Sequence, residues 1–584
     1  MSRWRLILRY LPAYRGVLLG GIGMLVVSNA LTIGAMLVFR QSLRALEIPI
    51  QNETAIDFGA VGVFTALAIS FTLLAGLTGF FKRYWIIGTS RHVEADLRSD
   101  LFRHLQRLPK TYYDRSRTGD LMSRATSDIE AARMALGPAI MYLTDAVLKI
   151  GFAIPALLWL NASLTFWSVP ALAGIGVGLL FIAPRLHHAA RAAQDQLAAV
   201  SARAQESFAG VRVVKSFATE DREDAVMQRL SADYLAANVR LARMRGLMIG
   251  WISLFGGIAV ILGLYHGALD VIDGRFDISG LLTFQSLLMA LIWPMMAFGW
   301  TLSLVQRGAA GLDRLAVVFS ESPEASADGK PARVTKGDLQ VRGLNFAYNG
   351  QPVLESVSFD LAAGKTLGIV GPTGSGKSTL ISLLPRLYDP PRGSILLDGI
   401  DVCDMQLSDL RAAFAVVPQE AFLFSTTLRD NVRFARPGAD ESVVLAASEA
   451  SRLAADLDQI PGGLDAVVGE RGVTLSGGQR QRAALARALA ADAPILILDD
   501  ALSAVDAETE AAILENLERE RAARSLLIVA HRVSAVRDAD LILYLKDGRV
   551  HESGTHDELV ASCGEYAELA RRQELEAQIE GMDP

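Results

Sequence analysis

Six stretches of this chain stay apolar for about twenty residues or more, enough for a helix to cross a bilayer core of about 30 Å. They are Gly16–Phe39, Ile56–Gly88, Gly137–Leu160, Ala162–Ala183, Met244–Leu269 and Ile278–Val305. In lipid, only helices and closed barrels satisfy their own backbone, so the pattern predicts six transmembrane helices. The 584 residues are 51% hydrophobic, too apolar for a soluble enzyme of this length. The net charge of −6 gives no reason to expect a nucleic-acid partner.

Charges between the apolar stretches orient them. The N-terminus, the Arg91–Arg133 connection and the Arg185–Arg245 connection are dense in arginine. Of the other three, one is Asn161 alone and another carries Asp270, Asp273 and Asp277. The positive-inside rule places both termini and the two long connections in the cytoplasm. Trp159 and Trp167 flank the tight outer turn as interfacial aromatics. The first residues, MSRWRLILRYLP, set Trp4, Leu6, Ile7, Leu8 and Tyr10 among three arginines. They predict an interfacial elbow helix within residues 1–15 rather than a cleaved signal. Arg91–Leu108 and Leu186–Arg243 are rich in Ala, Leu, Arg, Glu and Gln, so the spans are expected to continue as cytoplasmic helices. The connections at about 89–135 and 185–243 then reverse near Tyr112–Asp120 and Phe208–Phe217. The membrane domain is expected to cover 16–319, and lipid is one of its partners.

Inside the third span, Asp145 and Lys149 stand four residues apart on one helical face, acid before base. Ionised residues at that depth face a bundle interior or a wet cavity. They are read as a polar wall of a substrate cavity or as a self-neutralising pair. Trp293, Phe298 and Trp300 in the sixth span are candidate aromatic walls for hydrophobic cargo, and packing is their ordinary use.

A polar stretch with Pro323 and Pro331, residues 320–337, reads as a linker to a second domain over 338–575, with a tail at 576–584. There Gly371, Pro372, Thr373, Gly374, Ser375, Gly376, Lys377 and Ser378 fit G-x-x-x-x-G-K-[ST], with Thr379 following. The strand Thr366–Val370 precedes this run and a helical stretch, Leu380–Tyr388, follows. Backbone amides of such a loop close on phosphate oxygens, Lys377 reaches the terminal phosphates, and Ser378 is placed to ligate Mg²⁺. The domain is therefore expected to bind a nucleoside triphosphate. Cys403 and Cys563 both fall in this half and are read as free thiols in a reducing compartment.

Downstream, LSGGQ opens a helical pattern at Ser476, Gly477, Gly478 and Gln479, which suits an anion at a helix N-terminus. The apolar run ILIL after Pro494 reads as a buried parallel strand. It ends in Asp499 and Asp500, where strand carboxyl ends meet ligands in open α/β sheets.

Together GPTGSGKST, VPQE, LSGGQRQR, LILDD, SAVD and the lone His531 after SLLIVA resemble the ATP-binding cassette family. The resemblance extends over the whole chain, because six spans fused to one cassette match its exporters. It implies a membrane α-helical domain of six transmembrane helices with long cytoplasmic extensions, fused to an α/β P-loop ATPase domain. It further implies ATP and Mg²⁺ as ligands, with Asp499, Ser378 and Gln419 around the metal, Tyr348 stacking on adenine and His531 contacting the γ-phosphate. Tyr112–Asp120 and Phe208–Phe217 are similar to the coupling helices of type IV exporters, and Gly469–Gly472 to an exporter-specific loop. In the family the signature and Asp506 of one subunit face the ATP held by another.

One residue departs from the pattern. The second strand-end acid is normally Glu and polarises the attacking water; here it is Asp500. Its carboxylate retreats by about 1.5 Å, and a misplacement near 1 Å can cost on the order of 100-fold. An impaired acid beside an intact signature resembles the degenerate subunit of bacterial heterodimeric multidrug exporters. The expected partner is a second, different half-transporter. The expected cargo is a hydrophobic or amphipathic drug, lipid or peptide. The alternatives are a homodimeric lipid or peptide exporter, or an ATP-gated regulatory subunit.

Overall fold

The computed structural model describes residues 3–324, 334, 336–469, 475–520 and 524–580. All but the first residue of the predicted loop Gly469–Gly472 lies outside them. The chain forms two compact units, Met1–Arg107 with Ser116–Ser322, and Leu108–Arg115 with Pro323–Pro584.

Among the described residues of the first unit, six helical segments are long and apolar enough to cross a membrane. They are Leu11–Gln51, Phe58–Leu105, Thr118–Leu160, Ala162–Ala209, Glu220–Ile272 and Ile278–Ser320. Each outruns its apolar stretch because good helix formers continue past it. The fourth and fifth have 48 and 53 residues, or about 70–80 Å at 1.5 Å per residue, far more than a bilayer core. Val211–Ser216 is a short helix at the reversal between them.

Breaks follow local chemistry. Pro294 removes a backbone donor and crowds the carbonyl four residues back, and the sixth segment is interrupted at Leu291, between helices Ile278–Ala290 and Ile292–Ser320. The third segment carries two π turns, Arg124–Asp128 and Ala135–Ala139, the second holding Pro138. At the one-residue outer turn, Asn161 is extended and its Oδ1 accepts from the amide of Leu164 at 3.1 Å. Its Nδ2 donates to Asp270 at 2.9 Å. The elbow helix is Arg3–Leu8. Leu6 and Ile7 are buried and Leu8 faces outward, while Tyr10 and Tyr14 donate to Asp100 and Asp96 at 2.7 and 2.8 Å.

Among the described residues, the second unit holds two sheets. A four-stranded antiparallel sheet runs in the order Gln351–Leu361, Leu339–Tyr348, Ile395–Leu397, Ile400–Asp401. A six-stranded sheet runs Arg549–Gly554, Leu541–Lys546, Thr366–Val370, Ser525–Val529, Ile495–Asp499, Phe414–Val417. Every pair in it is parallel except the first. Successive side chains of a strand point to opposite faces, and both faces are covered. Ile495 and Ile497 pack with Leu527, Val529 and Leu367 on one side; Leu496 and Leu498 pack with Leu526, Ile528 and the signature-helix alanines on the other. The helix after the phosphate loop is Lys377–Leu383, shorter than the predicted Leu380–Tyr388 stretch. Leu384, before Pro385, is still in helical backbone, and the chain leaves the helix at Arg386, which turns to φ 51°. Cys403 and Cys563 are free thiols.

Candidate functional site

Strand register gathers the site. Val417 pairs with Leu498, Asp499 with Val529, and Ile369 with Val529 and Leu543. The residues leaving those strands, Gln419, Asp500, His531 and Gly371, therefore emerge along one carboxyl edge of the parallel sheet. Ligands of open α/β folds bind at that edge.

The phosphate loop is shaped by residues without a β-carbon. Gly371 has φ 152°, and a β-carbon there would run into the carbonyl oxygen of Leu545. Gly374 and Gly376 are also left-handed, and Gly376 caps the helix Lys377–Leu383. Thr373 and Gly374 are exposed at the loop tip, Ser375 is buried and Thr379 is half-buried. Lys377 is buried, and its Nζ donates to the carbonyls of Gly371 and Pro372 at 2.7 and 2.9 Å. Burial pulls its pKa below the usual lysine value, with Asp499 and Asp500 opposing the shift.

Burial also raises the Asp499 carboxyl, and the neighbouring charge of Asp500 adds to it. A hydrogen bond with Ser378, the charge of Lys377 and His531 pull the other way. A hydroxyl and a carboxylate that meet at the start of the phosphate-loop helix form an oxygen set of the kind that holds Mg²⁺ beside a bound phosphate. Gln419 is exposed, and its Nε2 lies 3.4 Å from Oδ2 of Asp500, a long hydrogen bond. Asp500 has φ 49°, a region that tolerates short polar side chains. Its amide donates to the carbonyl of Val529 at 2.8 Å, which ties the end of its strand to the loop leading to His531. That loop is held from outside the expected motifs. Gln573 Nε2 donates to the carbonyl of His531 at 2.7 Å, and its Oε1 accepts from the amide of Val533 at 2.8 Å.

Tyr348 ends its strand half-buried, with the ring of Tyr388 edge-on at 5.1 Å. Tyr388 is a hub the sequence reading passed over. Its hydroxyl donates to Asp114 at 2.6 Å and accepts from Lys110 at 3.0 Å, and Lys110 also pairs with Asp114 at 2.9 Å. Lys110 and Asp114 lie on the short helix Lys110–Arg115, part of this same unit. Tyrosine beside Asp389–Pro390–Pro391 was the available signal.

The signature helix, Gly477–Ala490, begins with a capping box. Ser476 Oγ accepts from the amide of Gln479 at 3.2 Å, and Gln479 Oε1 accepts from the amide of Ser476 at 3.0 Å. Gly477 and Gly478 follow as the first two residues of the helix. A β-carbon on Gly478 would sit 3.1 Å from the carbonyl of Ala504, so glycine allows the Ser503–Asp506 turn to lie against the helix. Gln481 fastens that turn, with its Oε1 accepting from the amide of Ala504 at 3.0 Å. Asp506 accepts from the amide and hydroxyl of Thr509 at 2.9 and 3.0 Å. Arg482 forms a fork with Asp456 at 2.7 and 2.8 Å. Among the described residues, no hydrogen bond joins Ser476–Gln479 to Gly371–Thr379. The phosphate loop and the signature helix of this chain are separately anchored.

In the membrane unit, Asp145 and Lys149 do pair, at 2.9 Å, but not alone. Lys82 of the second span reaches the other carboxylate oxygen at 2.8 Å, and Asn29 of the first donates to it at 3.0 Å. Of the three candidate aromatics, Trp300 meets the ring of Tyr142 on the third span at 5.1 Å. Trp293 and Phe298 stand exposed, at 55% and 39%. Lys82 was legible as a cation inside an apolar stretch.

Residues 18–295 match the family described as ABC transporter transmembrane region, and residues 354–503 the family described as ABC transporter. The chain is 35% identical to the multidrug resistance-like ATP-binding protein MdlA of Escherichia coli, over 91% of this chain and 90% of the relative. It is 36% identical to an ATP-dependent lipid A-core flippase of Aromatoleum aromaticum, over 85% and 83%. A solved bacterial Atm1-family ABC exporter with ATP bound superposes with a TM-score of 0.78 at 27% identity, covering 96% of this chain and 98% of that one. The domain carrying the phosphate loop is thus a cytoplasmic ATPase domain coupled to transport, on a multi-pass protein of the inner membrane. The chain belongs to the ABC transporter family, as an exporter half-transporter with six membrane-crossing helices and one ATPase domain in a single polypeptide.

Proposed function

We propose that this chain is the slow-site half of a two-chain exporter. In this reading it moves hydrophobic or amphipathic compounds outward, and a second, different half-transporter supplies the fast site. The observation that carries the reading is Asp500 at the end of the strand Ile495–Asp499, 3.4 Å from Gln419. The same chain keeps an intact, capped signature helix.

Lys377 and the glycine-led loop bind and orient the triphosphate, and Tyr348 offers a ring to the adenine. Ser378, Asp499 and Gln419 would hold Mg²⁺, which neutralises phosphate charge when bound. Asp500 holds the attacking water from too far back, so this site binds ATP and turns it over slowly. His531, set by Gln573, faces the γ-phosphate. Ser476, Gly477, Gly478, Gln479 and Asp506 are left to complete the partner's site, where a Glu does the hydrolysis. Two bound ATPs clamp the cassettes, the short helices at the reversals carry the closure to the spans, and hydrolysis at the fast site resets them.

The test is to purify the chain alone and with the half-transporter encoded beside it. Each is then assayed for ATPase and for drug or lipid accumulation in inside-out vesicles. The reading expects fast turnover and accumulation only for the pair. A partner without a strand-end Glu, or accumulation by the solitary chain, counts against it.

A further inference from the structure

More than two residues from any end of the six apolar stretches, the Lys, Arg, Asp and Glu residues are Lys82, Arg83, Asp145 and Lys149. Asp145 is thus the single carboxylate there, and two of the three cations, Lys82 and Lys149, reach it in a medium where an unbalanced charge is expensive. The carboxylate is fully engaged. Lys82 and Asn29 donate to its Oδ1 and Lys149 to its Oδ2, and Asp145 itself is 9% exposed. One acid neutralises one ammonium, so the Lys82–Asp145–Lys149 cluster keeps an excess positive charge. Each ammonium has three N–H groups and gives one to Asp145, which leaves two on each for another acceptor.

A pair serving structure alone would need only one lysine. The second is held at 2.8 Å from a different helix, with its side chain 15% exposed. Its natural complement is an anionic oxygen from outside the chain. Apolar surface adjoins the charge. Tyr142 lies on the face of Asp145, three residues away, against Trp300, which is 45% exposed. On the second span, Phe81 and Trp85 pack together beside Lys82. Asp145 is sixteen positions below Asn161 in the sequence, about 24 Å at 1.5 Å per residue, in the cytoplasmic half of a core of about 30 Å.

We propose that this cluster binds the anionic head of an amphipathic cargo, a phosphate, sulfate or carboxylate, with the apolar body against Tyr142 and Trp300. The proposal rests on the exporter reading and narrows its cargo. Asp145 acts as a positioning residue that holds the two ammonium groups together.

The test uses the full-length chain in nanodiscs of phosphatidylcholine, with tryptophan fluorescence reporting dodecyl phosphate, dodecyltrimethylammonium and inorganic phosphate. Dodecyl phosphate should bind at least about tenfold tighter than dodecyltrimethylammonium, as charge-assisted hydrogen bonds require. Lys149→Gln should weaken it by roughly tenfold, and Lys149→Arg should not. Preference for the cationic probe overturns the site, as does full affinity in a Lys149→Gln chain that melts like the wild type. Inorganic phosphate binding as tightly as dodecyl phosphate overturns the amphipathic assignment, because the apolar wall would then contribute nothing. The probe comparison needs no variant to fold. ATPase of the two-chain transporter separates this idea from the one beneath it. Stimulation by the cationic probe alone leaves an exporter and removes this site. Tight binding of dodecyl phosphate with no ATPase response upholds the site and counts against export.

Discussion

The hydroxyl of Tyr388 donates to the carboxylate of Asp114 across 2.6 Å while its ring meets Tyr348 edge-on at 5.1 Å. One side chain thus touches both the short helix Lys110–Arg115 and the aromatic proposed to stack on adenine. Tyr388→Phe keeps the ring and removes the hydroxyl. Both partners are partly exposed, so the loss is about 1 kcal/mol, or roughly fivefold. Cargo stimulation of ATPase should fall by about that factor while ATP affinity stays near wild type. Equal losses in both would show that Tyr388 serves only to shape the nucleotide pocket.

The same cluster has a pH signature. Burial pushes the Asp114 carboxyl up, but hydrogen bonds from Tyr388 and Lys110 outweigh it and hold it below the ordinary range. A depressed acid contributes above its unfolded pKa and is lost only as pH falls through its folded value. Lys110 is raised, first by its bond to Asp114, so its contribution is present below its unfolded pKa and is lost as pH rises through the higher folded one. The contact should therefore hold across neutral pH. The ratio of stimulated to basal ATPase should be flat from about pH 6 to 8. A midpoint inside that window that disappears in Asp114→Asn would contradict the assignment.

The Arg482–Asp456 fork fixes the signature helix, and the two side chains are only 12% and 13% exposed. Removing one partner of such a pair leaves an uncompensated charge, a cost of roughly 3 kcal/mol. Asp456→Ala should lower the melting temperature of the full chain clearly more than Arg519→Ala, whose partner Glu515 is exposed. Indistinguishable melting of the two variants would mean that the fork holds nothing.

The two thiols should differ in reactivity. Burial first, then the nearby Asp401 carboxylate, pushes the Cys403 thiol up to about 11, whereas Cys563 is exposed. A maleimide at neutral pH should label Cys563 long before Cys403, because the thiolate is the reactive form. Mass spectrometry of the native chain reads the order directly.

Local chemistry was legible in the sequence, and long-range partners were not. The strands Thr366–Val370 and Ile495–Asp499 and the Asn161 turn follow from apolar runs and breakers that act over a few residues. So do the long helices beyond the bilayer, whose composition continues the helix. Lys82 meeting Asp145, Tyr388 meeting Asp114 and Gln573 holding the His531 loop depend on which elements the fold sets side by side. Nothing within a turn of those residues encodes it. The Asp145–Lys149 spacing leaves a cavity wall and a self-neutralising pair both open, because helical periodicity sees one helix at a time. The second lysine arrives from another.

The central claim is that Asp500 makes this chain's own site slow, and single-turnover phosphate release from the full-length chain tests it most directly. Asp500→Glu restores the missing methylene. The left-handed backbone at this position costs a longer side chain about 1 kcal/mol, less than the roughly 2.7 kcal/mol that a 100-fold change represents. The account predicts slow release from the wild type and an increase of at least about tenfold in Asp500→Glu. Brisk release from the wild type, unchanged in Asp500→Glu, would contradict it.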